Sequence, residues 1–175
     1  MKTGYASITS SLPPELEASV TSLGRKQNAS VQAICLAAFA LVLQRYNRDA
    51  DIAIGTSFPR KTGALIQSNG GVFTDVVVVR PVVSTSRCFS ELVDRLTTEL
   101  TRDAEHRMPF GELVEVLRPE PDAAHGAVCQ VFFAFLQGQT DLSEDEATSD
   151  GLRPMGLSGA AHGDLSLNVI HNGSS

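Results

Sequence analysis

The sequence predicts an α/β fold, a two-layer sandwich in which helices cover a mixed β-sheet. Two observations carry this prediction. Apolar residues recur at helical spacing in long segments, and short β-branched or apolar runs alternate with those segments. The predicted elements follow in the order β-α-α-β-β-α-α-β-β-β, and interleaved helices and strands of this kind favour helices packed on a mixed sheet.

Length and composition limit the classes of protein to which the chain can belong. The chain has 175 residues, 42% of them hydrophobic and 19% charged, which suits a single domain spanning residues 1–175 with a proper core. The net charge of −6 argues against a nucleic-acid partner, since phosphate contacts require a basic surface. Three cysteines without paired spacing indicate neither a disulfide framework nor a zinc site. Because the sequence shows no leader and no membrane-length apolar run, we expect a soluble, cytoplasmic chain with no membrane partner.

One stretch departs from the globular pattern. Residues 137–151 hold five acids, no base and a single large hydrophobe, Leu142. Burial of such a stretch would gain little, so we predict an exposed, mobile acidic loop. A docking patch for a basic partner is the alternative interpretation.

The helices are predicted from apolar spacing and capping residues. After a short edge strand at Tyr5–Thr9, the pattern predicts a helix at Glu15–Gln27 and a second at Val31–Tyr46, capped by Ser30. The second helix is apolar almost all the way round, which predicts burial on several sides. Leu and Phe residues at spacings of three and four predict an amphipathic helix at Phe89–Arg107. A further turn or two is predicted after Pro109, at 111–117.

The strands are predicted from short apolar runs. Val72–Arg80 contains four consecutive valines, which indicate a strand covered on both faces. Residues 59–71, rich in Gly, Ser, Asn and Pro, are predicted to be a loop. The remaining predicted strands are Ile52–Ser57, Val128–Leu136, Leu152–Leu157 and Leu165–Ile170.

Candidate catalytic residues do not assemble into a motif. None of the four histidines belongs to an H-E-x-x-H or H-x-x-x-D pattern, and Ser158 fails the G-x-S-x-G pattern at one position. Cys35 and Cys129 lie within apolar segments, where thiols usually act as small hydrophobes. The residues alone therefore predict no complete active site and no metal site.

Several segments, read in order, resemble one family. Gly71–Arg80 (GVFTDVVVVR) is similar to a G-x-F-V-N-T-x-x-x-R core, Met108–Val114 (MPFGELV) to a P-F-x-x-L-V motif, and Val128–Phe135 (VCQVFFAF) to an L-F-Q-V-x-F strand. Ser30–Tyr46 resembles the helix that precedes these motifs, and Asp164 with Leu165 falls at an F-D-L strand. Together these segments resemble the C-terminal half of the condensation domain of nonribosomal peptide synthetases.

The resemblance implies a fold and a function. The fold would be one chloramphenicol-acetyltransferase-like lobe, which faces a second, N-terminal lobe across a substrate tunnel. An amide bond would form there between acyl and aminoacyl groups carried on the phosphopantetheine arms of peptidyl or acyl carrier domains. Those arms would be substrates, and no cofactor would be bound directly. The family's H-H-x-x-x-D-G motif belongs to the other half, so no catalytic residue is expected in this sequence.

The resemblance also assigns a tunnel role to five residues: Gly71, Phe73, Asp75, Arg80 and Gln130. Asp75 stands where the family has asparagine, and the arginine that follows the family's Gly-Thr-Pro turn has only Arg60 or Lys61 as imperfect counterparts. Alternative functions keep the fold: a non-catalytic binding or scaffolding remnant, or one lobe of an epimerisation, heterocyclisation or other acyltransferase domain.

Overall fold

The computed structural model describes residues 6–47, 51–59, 74–83, 88–105, 108, 110–118, 128–137 and 163–171. Within these ranges the chain forms four helices and four strands. In chain order they are α1 (Pro14–Gln27), α2 (Val31–Asn47), β1 (Ile54–Pro59), β2 (Thr74–Val79), α3 (Phe89–Glu105), α4 (Phe110–Leu117), β3 (Val131–Gln137) and β4 (Leu165–His171). Each lies within a few residues of its predicted position, so the predicted α/β class is confirmed.

Capping residues explain the sharp turn between the first two helices. α1 begins at Pro14, a residue favoured in the first helical turn, and ends where Asn28 takes a left-handed conformation with φ of 51°. The N–H of Ala29 then donates to the carbonyl oxygen of Gly24 at 2.9 Å. Ser30 opens α2 by accepting the N–H of Ala33 on its hydroxyl at 3.1 Å, the N-cap interaction predicted for this residue.

The sheet is mixed, with the strand order β2-β1-β3-β4 among the described residues. β1 pairs with β2 in antiparallel register, Ile54 opposite Val79. On its other side β1 pairs in parallel with β3, Ile54 opposite Val131, and β3 pairs in parallel with β4. β1, β3 and β4 therefore begin at the same edge of the sheet, where β2 ends. We call this end of the strands the starting edge.

The core lies between α2, α3 and one face of the sheet. Leu36, Leu96 and Phe133 are almost completely buried and represent these three surfaces. Ile54, Leu92 and Val93 are buried in the same cluster. The fully buried residues of α2 form one wide face, while Val42 is half-exposed. The prediction that α2 is buried on several sides is therefore correct only for that wide face.

Two strand predictions need correction. Residues 6–9 form no strand, and the side chain of Ile8 is 96% exposed, since the segment pairs with none of the four strands of the described sheet. The valine strand β2 is not covered on both faces: Val79 is buried, but residues 76–78 are only half-buried. β2 is an outer strand of the described sheet and has a neighbouring strand on one side only.

Some predictions fall beyond the described residues. The predicted acidic loop at 137–151 lies outside them apart from Gln137, the last residue of β3. The predicted strand at Leu152–Leu157 and most of the predicted loop at 59–71 also lie outside them.

In the part of the chain that the structure describes, no single helix is long and apolar enough to cross a membrane, although α1 and α2 pass that test as a pair bent by 108°.

Candidate functional site

The structure separates the residues that the family resemblance assigns to the tunnel. Arg80 follows β2 and Gln130 precedes β3, so both lie at the starting edge of the sheet. Asp75 lies opposite Phe58 in the β1–β2 register, towards the other edge. Gly71 and Phe73 lie outside the described residues. The described residues that the resemblance assigns to the tunnel therefore lie at both edges of the sheet and do not form a single cluster.

Arg80 is held by an aspartate at the starting edge. Its Nε donates to Asp51 Oδ1 at 2.9 Å, and its Nη2 contacts Asp51 Oδ2. The pairing of Ile54 with Val79 explains this contact, because Asp51 precedes β1 and Arg80 follows β2. The hydrogen bond from Arg80 lowers the pKa of the Asp51 carboxyl, and the same bond raises the pKa of Arg80. Both side chains are exposed, so the pair is positioned by the strands rather than by burial.

Gln130 positions the start of β4 through its backbone. Its side chain is exposed, while its carbonyl oxygen accepts the N–H of Asp164 at 2.8 Å and the N–H of Leu165 at 3.3 Å. Gly163 is essential to this junction, since a Cβ there would lie 2.2 Å from the same carbonyl oxygen. Gly163 was not among the residues predicted to matter from the sequence. The available signal was a glycine directly before a predicted strand, which often marks a close backbone approach.

A second close approach occurs inside the sheet at Gly55. A Cβ on Gly55 would lie 2.6 Å from Phe132 Cε1 and 2.9 Å from Cys129 Sγ, so the side chains of the neighbouring strand fill this space. Burial raises the pKa of the Cys129 thiol, and burial also raises that of Cys35. Both thiols are therefore disfavoured as thiolates, in agreement with their prediction as small hydrophobes.

The opposite edge of the sheet holds a half-buried histidine. His171, at the end of β4, stacks on Phe135 with ring centroids 6.2 Å apart, and its Nε2 lies 3.7 Å from Glu17 Oε1 of α1. This separation exceeds a hydrogen bond, so the contact is an ion pair only when the imidazole is protonated. His171 and Phe135 line a cavity of about 250 Å³ together with Ser30, the N-cap of α2, and the first two residues of that helix, Val31 and Gln32.

The histidine–carboxylate contact was invisible in the sequence because Glu17 and His171 lie at opposite ends of the chain. In the cavity beside His171, the Ser30 hydroxyl accepts the N–H of Ala33 and so caps α2 within the described residues. Those residues also contain no group of three or more His, Cys, Asp or Glu side chains able to hold a metal ion.

One family model matches the chain along nearly its whole length. The model of the condensation domain matches residues 2–174, almost the whole sequence. The chain belongs to the condensation-domain family. The chain is 30% identical over 167 residues to the "Probable non-canonical nonribosomal peptide synthetase (NRPS) CymA" of Salinispora arenicola, covering 93% of this chain and 2% of that protein.

Solved structures agree with the family and the fold. The condensation domain of the Monacolin K polyketide synthase MokA matches with a TM-score of 0.66 and 26% identity, covering 73% of this chain and 30% of that one. The X-domain of teicoplanin biosynthesis, in its complex with OxyB, matches with a TM-score of 0.62 and 25% identity, covering 71% and 28%. The chain thus corresponds to part of a condensation domain and spans less than a third of these structures.

Proposed function

We propose that this chain forms the C-terminal lobe of a condensation domain and provides the floor and one wall of its substrate tunnel. One observation carries the proposal: the family match runs along residues 2–174, yet the chain spans only 30% of the MokA condensation-domain structure. The segments that resemble family motifs, such as Gly71–Arg80 and Met108–Val114, resemble those of the family's C-terminal half, which supports the choice of lobe. The H-H-x-x-x-D-G motif, with its catalytic base, would come from the N-terminal lobe.

In this proposal the reaction is amide formation between two carrier-bound thioesters. The amine of the aminoacyl group attacks the thioester carbonyl of the acyl group, the new C–N bond forms, and the phosphopantetheine thiol leaves with the proton lost by the amine. Gly71, Phe73, Asp75, Arg80 and Gln130 would line the tunnel. Because the Arg80 guanidinium is bound to Asp51, its part would be to hold the ends of β1 and β2 that shape the wall.

Reconstitution tests this function. The chain would be mixed with a separately produced N-terminal condensation lobe and with acyl- and aminoacyl-loaded carrier domains, and the amide product followed by mass spectrometry. We expect product only when both lobes are present. The control is an N-terminal lobe in which the second histidine of its motif is replaced by alanine. Turnover by this chain alone, or equal turnover by the N-terminal lobe alone, would contradict the proposal.

A second candidate function is a docking platform without catalysis. The similarity to the X-domain supports it, because that domain was solved in complex with another protein, OxyB, and is 25% identical to this chain. Under this alternative the two lobes would associate and bind a partner protein, but amide, epimerised and heterocyclic products would all be absent. Product analysis of the reconstituted pair therefore separates the platform from condensation, epimerisation, heterocyclisation and other acyl transfer.

A further inference from the structure

We draw no further inference here: the strongest candidate, the cavity between the first turn of α2 and the ends of β3 and β4, rests on a helix N-terminus and on His171, which is already in contact with Glu17, and nothing in the described part of the structure points to a ligand for it.

Discussion

At the scale of single residues, Thr56 is a polar side chain in an apolar environment. It lies in the middle of β1, fully buried, and its hydroxyl has no hydrogen-bond partner among the described residues. A buried hydroxyl without a partner loses its hydration and gains nothing in return. The register places Thr56 between Val77 and Phe133, which are apolar neighbours on both sides.

We expect Thr56→Val to stabilise the chain. The substitution replaces the buried hydroxyl with a methyl group of similar size, and removal of the unsatisfied group should raise the free energy of unfolding by about 1 kcal/mol. Thermal or urea unfolding measures the change. Thr56→Ser is the matched control, because it keeps the hydroxyl and loses a methyl group, and it should lower stability by about 1 kcal/mol. A clear loss of stability in Thr56→Val would mean that the hydroxyl has a partner.

The Asp51–Arg80 pair predicts a specific pH dependence. The pKa of Asp51 is lower in the folded chain than in the unfolded chain because Arg80 donates a hydrogen bond to the carboxylate. The resulting stabilisation is fully present above the ordinary aspartate pKa of about 3.9 and is lost as pH falls through the lowered value. Since both groups are exposed, the effect is small and should shrink further in high salt.

An Arg80→Gln variant measures this effect. In NMR titrations at acid pH, the pKa of Asp51 should rise towards its ordinary value in the variant. Stability measured at neutral and acid pH should fall less on acidification in Arg80→Gln than in the parent chain. An Asp51 pKa that is equal in the two proteins would show that the pair does not form in solution.

At the scale of elements, contact between strands determines where glycine is required. β4 meets β3 through the Gln130 carbonyl, which accepts two N–H groups and leaves no space for a side chain at Gly163. At Gly55 the obstacles are instead side chains, the ring of Phe132 and the sulfur of Cys129. Gly111, in the first turn of α4, has open space around it: apart from its own helix backbone and its chain neighbours, no atom lies within 4 Å of the position that a Cβ would take.

We predict a graded response to alanine at these three positions. Gly163→Ala should cost the most, about 3 kcal/mol, because the clash is with backbone that fixes the β3–β4 register. Gly55→Ala should cost about 1–2 kcal/mol, since its clash is with side chains and not with backbone. Gly111→Ala is the control and should be neutral or raise stability by up to about 1 kcal/mol through helix propensity. Urea unfolding midpoints order the variants, and a Gly163→Ala as stable as Gly111→Ala would refute the proposed junction.

At the scale of the whole molecule, the proposed tunnel needs a second lobe to define it. Arg80 and Gln130 lie at the starting edge of the sheet, and Asp75 lies towards the other edge, five residues before Arg80 along the chain. Five residues of extended strand span roughly 16 Å, so one small substrate group cannot touch both edges. In the proposed assembly these residues would therefore line different parts of the passage.

Asp75 should limit the activity of the reconstituted pair. An ionised aspartate only accepts hydrogen bonds, whereas the asparagine of the family motif both donates and accepts. Arg80, which is bound to Asp51, is not available to neutralise a charge at Asp75. If one hydrogen bond worth about 1.4 kcal/mol is regained in the transition state, Asp75→Asn should raise the amide-forming rate about tenfold.

The rate comparison for Asp75→Asn would be made with the N-terminal lobe and loaded carrier domains across pH 6 to 9. Glu15→Gln is the control, because it also replaces one carboxylate with an amide, at an exposed position in α1, and its rate should equal that of the parent chain. Equal rates for Asp75→Asn and the parent would place Asp75 outside the tunnel.

Local patterns along the chain were sufficient to predict the eight described helices and strands and the family. Helix and strand positions depend on local spacing, on caps such as Ser30 and on Pro14, and the family motifs are contiguous segments, so all of these are legible in the sequence. The absence of a strand at residues 6–9 could not be predicted in this way, because a strand exists only where a sheet edge is available to pair with it.

How those elements meet depends on the folded chain. The contacts of Asp51 with Arg80 and of Glu17 with His171, and the close approach of Gly163 to Gln130, join segments that are distant in sequence. These contacts follow from strand order and register, which depend on which strands become neighbours. Local sequence patterns do not determine which strands become neighbours. The division of Arg80, Gln130 and Asp75 between two edges of the sheet is therefore seen only in the tertiary structure.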